Sequence, residues 1–192
     1  MLSYSELKRK SRIILDNEPY EIIETTSTVK ARGGSVLQTK LRNLKTENVI
    51  SKTFHPGDMF EEPEILKLEV KFLYSHKDKF VFVEKDNPSK RFELTAKQIS
   101  EKADFLKPDQ IVQALFFKNE VINISLPIKV NIKVKEAPPS VKGESQSGNK
   151  SVVLETEAKI TVPSFIKTGD IIEINTETRE YVRRIEYPSG SQ

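Results

Sequence analysis

Residues 25–45 read Thr-Thr-Ser-Thr-Val-Lys-Ala-Arg-Gly-Gly-Ser-Val-Leu-Gln-Thr-Lys-Leu-Arg-Asn-Leu-Lys, with strand-like Tyr20-Glu21-Ile22-Ile23 before the Gly pair and Val36-Leu37-Gln38-Thr39 after it. Two strand-forming runs around Gly33-Gly34 predict a β-hairpin whose glycines supply the positive φ values of a tight turn. The segment carries Lys30, Arg32, Lys40, Arg42 and Lys45 and no carboxylate. Arg32 thus falls at the exposed tip, among Lys30, Ala31, Gly33, Gly34 and Ser35. Cations on a protruding loop repel one another unless they meet phosphate, whose neutralisation releases counterions. Nucleic acid is therefore the first partner to consider. Taken alone, the segment reads more readily as a solvated turn, and the rest of the chain has to shift that balance.

The chain has 192 residues, a net charge of +3 and no cysteine. That length suits one large domain or two to three small ones. The mild charge excludes a polycationic coat protein, so any basic surface must be local. Without cysteine there is no disulfide, thiolate metal site or thiol nucleophile. The start Met1-Leu2-Ser3-Tyr4-Ser5-Glu6-Leu7-Lys8 lacks an apolar leader core, and no stretch approaches the roughly 18 apolar residues of a membrane span. A soluble, cytosolic protein without a membrane partner, monomeric by default, is the expectation.

Short apolar or alternating runs recur along the chain: 12–15, 20–24, 36–41, 66–74, 79–84, 111–117, 121–124, 130–134, 158–162, 171–175 and 181–185. Turn signals separate them at Leu15-Asp16-Asn17-Glu18-Pro19, Phe117-Lys118-Asn119-Glu120 and Thr176-Glu177-Thr178-Arg179. One helix is predicted over 95–103, capped by Thr95 and closed by Leu106 and Pro108. One short helix in a strand series suits an oligonucleotide-binding (OB) type barrel. The acidic, proline-bearing stretch 60–64 and Leu126-Pro127 divide the chain into modules 1–64, 65–127 and 128–192. The prediction is an all-β protein of three small barrels, of which the second and third can share one architecture.

The third module contains a polar loop, 137–150, rich in Pro, Ser and Gly, where Gly143 and Gly148 allow close backbone approach. It is readable equally as an RNA-binding loop and as a solvated connector.

Taken in order, several features closely resemble bacterial elongation factor P, a family shared with the hypusine-containing translation factor of eukaryotes and archaea. They are the basic hairpin tip, Lys40-Leu41-Arg42-Asn43-Leu44, Lys52-Thr53-Phe54-His55-Pro56-Gly57-Asp58, Pro139 to Lys150, Val162-Pro163, Gly169-Asp170 and Glu180-Tyr181-Val182-Arg183-Arg184. The resemblance covers nearly the whole chain. It implies an SH3-like (KOW-type) barrel followed by two OB-fold barrels, arranged in an L like a transfer RNA. It also implies a factor that binds both ribosomal subunits between the peptidyl (P) and exit (E) sites, contacts peptidyl-tRNA and speeds bonds at consecutive prolines. Arg32 falls at the family's modified tip position, which in one branch is an arginine that receives rhamnose, so a glycosyltransferase is an implied partner and no cofactor is required. Lys40, Arg42, Tyr181, Arg183 and Arg184 become candidates for RNA-backbone contact. Gly143, Glu144 and Ser145, with Gly148 and Asn149, become the loop near the E-site codon, standing where the family usually has Gly-Asp-Thr.

Two other classes of protein fit the residues less well. An enzyme would need a catalytic constellation, and His55 and His76 lie beside turns in different modules without a nucleophile or metal-ligand spacing. The carboxylates Glu61, Glu62 and Glu64 cluster on a polar linker where nothing desolvates them. A general single-stranded RNA-binding OB protein would want exposed aromatics among cations, whereas Phe72, Tyr74, Phe80, Phe82, Phe116 and Phe117 fall in apolar strand patterns and read as core.

Overall fold

Asp16 and Asn17 adopt φ of 51° and 64°, and Lys118 and Asn119 adopt 50° and 64°. These are the paired positive values of two-residue primed turns, which match the right-handed twist of the strands they join. Antiparallel pairing, closed at these two places by such turns, builds the sheets of the molecule, a computed structural model that describes residues 1–30, 34–138 and 148–185.

The first barrel comprises β1 (Leu2–Ser3), a 3₁₀ turn (Tyr4–Glu6), β2 (Arg12–Leu15), β3 (Glu18–Lys30), β4 (Gly34–Asn43), β5 (Val49–Phe54) and β6 (Met59–Phe60). Its main sheet runs β2-β3-β4-β5, and β1 pairs with β6. Leu7, Ile13, Ile22, Leu37, Leu41, Phe54 and Phe60 form its core. Strand β5, over residues 49–54, carries no strand signal in the sequence, because its polar residues Ser51, Lys52 and Thr53 are exposed and only Phe54 is buried.

The second barrel holds β7 (Leu66–His76), β8 (Lys79–Glu84), β9 (Asn87–Thr95), α1 (Ala96–Ile99), a 3₁₀ segment (Ser100–Phe105), β10 (Ile111–Phe117) and β11 (Glu120–Ser125), with sheet order β11-β10-β7-β8-β9. Thr95 caps α1 as expected, accepting from the Gln98 N–H. The helix is shorter than the predicted 95–103, because Ser100 takes φ 51° and ψ −135°, which an α-helix cannot continue through. Phe82 lies at the centre of the core, 5.3 Å from Phe72 and 5.5 Å from Phe92 between ring centroids. Tyr74 departs from its predicted core place and is 51% exposed. It follows a bulge between Phe72 and Tyr74, two residues from the β7–β8 turn, where the strand has run past the core.

The third barrel comprises β12 (Lys129–Glu136), β13 (Asn149–Leu154), β14 (Lys159–Pro163), β15 (Ile171–Asn175) and β16 (Glu180–Ile185), in the order β14-β13-β12-β15-β16. Counted from its own first strand, each of the last two sheets runs third-second-first-fourth-fifth, so the two barrels share one architecture.

The chain divides into two compact units, one of 1–100 with 113–125 and one of 101–112 with the residues from 126 onward. Within the first unit, Leu44 packs with Leu115, Phe117 and Ile122, so the first two barrels share an apolar seam. The fully buried Asn123 donates across it to the Leu44 carbonyl (3.2 Å) and to Glu47 Oε1 (2.6 Å). Within the second unit, Phe105 joins the core of the third barrel, and Arg179 Nη2 lies 2.5 Å from Asp104 Oδ2.

Candidate nucleic-acid interface

Strands β3 and β4 pair from Tyr20–Asn43 up to Lys30–Gly34, whereas β5 leaves β4 at the Leu37–Phe54 pair. The last rungs, Thr28–Val36, Val29–Ser35 and Lys30–Gly34, therefore form a two-stranded stem beyond the sheet. Val29, on this stem, is 81% exposed. The residues that join the paired ends, Ala31, Arg32 and Gly33, lie outside the described residues.

Lys40 and Arg42, one strand period apart, were read as cations without acidic partners in their own segment. The structure supplies partners from the neighbouring strand and turn. Lys40 Nζ lies 2.7 Å from Glu24 Oε2, and Arg42 lies 3.4 Å from Glu21 Oε1 and 3.8 Å from Glu47 Oε2. A bulge between Ile22 and Glu24 brings Glu21 opposite Arg42 and Glu24 opposite Lys40, so both acids share a face with both cations. Arg12 Nε adds a second guanidinium to Glu21 at 3.3 Å.

In the third barrel, Arg183 Nη2 sits 3.3 Å from Glu173 Oε2, and Lys129 Nζ sits 3.0 Å from Glu173 Oε1. Glu173 is only 8% exposed. The Lys129 ammonium above all, with Arg183, holds its carboxyl below the usual 4.5 despite the opposing effect of burial. Tyr181 packs against the barrel core. The Arg184 guanidinium lies 5.9 Å from the ring centroid of Phe165, which is 54% exposed. Gly148, at φ 64°, accepts from the Ser164 N–H through its carbonyl (2.9 Å), and Asn149 pairs with Pro163, so the return of the polar loop is tied to the Phe165 turn. Gly143, Glu144 and Ser145 lie outside the described residues.

His55 and His76 are both exposed. Among the described residues no His, Asp or Glu cluster is arranged to hold a metal, and no helix is long and apolar enough to cross a membrane.

Residues 3–60 match the elongation factor P KOW-like domain, residues 65–124 the elongation factor P OB domain, and residues 130–184 the C-terminal domain of elongation factor P. Elongation factor P of Natranaerobius thermophilus is 36% identical over 96% of this chain and 98% of its own. That of Phytoplasma australiense is 37% identical over the same shares. The chain belongs to the elongation factor P family. It is accordingly a translation elongation factor. A solved structure described as eukaryotic translation initiation factor 5A from Methanococcus jannaschii is similar over 65% of this chain and 92% of that one, with a TM-score of 0.50 at 16% identity, which shows a common all-β fold.

Two features of this family member escaped sequence reasoning. Lys8, Arg9 and Lys10 form an exposed run on the first barrel, and three consecutive cations were a visible signal for it. The Oη of Tyr4 meets the Oγ of Ser35 at 3.0 Å, a contact across 31 positions that no local pattern announces.

Proposed function

We propose that this elongation factor binds both ribosomal subunits between the P and E sites. There it holds the acceptor end of peptidyl-tRNA with Arg32, so that slow peptide bonds, above all between prolines, form faster. The observation that best supports this is the ladder of β3 and β4, paired up to Lys30 and Gly34 and leaving Arg32 at the middle of a three-residue connection. Lower on the same hairpin, Lys40 and Arg42 have carboxylate partners. The base of the hairpin is thus charge-compensated, and Arg32 is the cation with which its tip meets RNA.

The role is positioning. A prolyl nucleophile is a secondary amine in a ring with fixed φ. Fixing the acceptor end in an attack-ready geometry converts lost orientational freedom into rate, and about 2.7 kcal/mol of barrier corresponds to roughly a hundredfold. A guanidinium fork suits phosphate, and its plane suits a base. Arg32 is also the residue that an arginine-modifying glycosyltransferase would extend. In this reading, the loop with Gly143, Glu144, Ser145, Gly148 and Asn149 faces the E-site codon. Arg183, Arg184 and Tyr181, with Lys40 and Arg42, line the RNA backbone.

The test is reconstituted synthesis of a proline-stretch peptide with the full-length factor. Arg32→Ala should fold normally and lose most of the stimulation. Full retained activity would remove Arg32 from the mechanism.

A further inference from the structure

We propose that Tyr4 is a positioning residue for the tip, a strut whose hydroxyl ties the two-stranded stem to the body of the first barrel; the inference rests on the role given to Arg32 above. The stem needs such a tie. Beyond Leu37 it has no third strand, and an isolated two-stranded ribbon is marginal and bends easily. Flexing at the stem is carried directly to Arg32, three residues before Ser35.

Tyr4 is itself held from several sides. Its N–H donates to the Asp58 carbonyl at 3.1 Å, and its ring packs, half-buried, against the core that contains Leu7, Ile13 and Phe60. The 3₁₀ turn it opens is clasped by Glu6, whose Oε2 accepts from the Ser3 N–H (2.8 Å) and the Ser3 hydroxyl (2.7 Å). Leu2–Ser3 is paired to Met59–Phe60. From this fixed base the Tyr4 hydroxyl reaches the Ser35 hydroxyl at 3.0 Å, on the rung opposite Val29. A phenylalanine would bury the same ring, so what the hydroxyl adds is its bond to the stem. Losing one such bond spreads the positions open to the tip and lowers the share of attack-ready complexes by about two- to tenfold.

The experiment measures proline-stretch synthesis against factor concentration for the full-length protein and for Tyr4→Phe, Ser35→Ala, the double variant, Ser35→Thr and Arg32→Ala, with thermal unfolding of each. The strut predicts that Tyr4→Phe and Ser35→Ala each lower maximal stimulation about two- to tenfold, at an unchanged half-maximal concentration and a Tm within about 2 °C of the parent. The double variant should be no worse than either single one, because one bond is lost in all three, and Ser35→Thr should restore activity. Parent-like stimulation by both single variants, with Arg32→Ala inactive, overturns the strut and leaves Arg32 in place. Additive losses that track Tm also overturn it, in favour of a purely structural tyrosine. An active Arg32→Ala overturns the reading on which the strut rests.

Discussion

The hairpin β3–β4 and the edge strand β16 both present cations on a β-framework, and they neutralise them differently. On the hairpin, Lys40 and Glu24 face each other with both side chains more than half exposed. On β16, Arg183 shares with Lys129 a carboxylate, Glu173, that is itself buried. An exposed pair adds little to stability, because water competes for both ions. A buried acid cannot shed its counter-charges at low cost, so it fixes where they stand. The first arrangement balances charge at the base of the hairpin, whereas the second sets a guanidinium at a defined place on a barrel wall.

Both charged regions also carry core residues, and that is where the largest effects lie. Leu41 sits between Lys40 and Arg42 with its side chain fully buried, and Ile174, next to Glu173 on β15, is likewise buried. Leu41→Ala and Ile174→Ala should each cost about 2–5 kcal/mol, read by hydrogen exchange of the ladder amides in each barrel. A loss under about 1 kcal/mol at Leu41 would show that the hairpin is held by its charges after all. Next comes Asn123→Ala, which leaves Glu47 without its partner across the seam of the first unit and should cost about 1–3 kcal/mol. Because Glu47 also touches Arg42, that variant should loosen Arg42 as well. An unchanged exchange pattern around Arg42 would uncouple the hairpin base from the seam.

Much of this fold was legible. The turn stretches 15–19 and 117–120 and the runs 12–15, 79–84, 111–117 and 171–175 coincide with observed turns and strands, because each carries its own local signal. Strands 49–54, 87–95 and 149–154 were not read. Their exposed Lys, Ser and Asn residues hide the alternation, and only pairing with a neighbour makes them strands. The candidate site was legible as a list of cations but not as a set of pairs. Glu21 and Glu24 come opposite Arg42 and Lys40 only through a bulge, and Glu173 lies ten residues from Arg183. Register, which no single segment encodes, decides those meetings.

The finest separation of the two regions uses pH and the conservative variants Glu173→Gln and Glu24→Gln. Glu173 titrates below its usual 4.5 in the folded protein, chiefly because of Lys129, so its ionised form favours the folded state. The sign follows from linkage: this contribution is complete above the unfolded value and is lost as pH falls from about 4.5 through the lower folded value. Glu173→Gln should therefore be less stable than the parent at neutral pH, with the gap closing on acidification. A gap that stays constant with pH would mean that shape, not charge, made Glu173 matter. Glu24→Gln should shift stability at neutral pH by less than about 0.5 kcal/mol. A larger loss there would erase the contrast, since it would make the exposed hairpin pair as structural as the buried one.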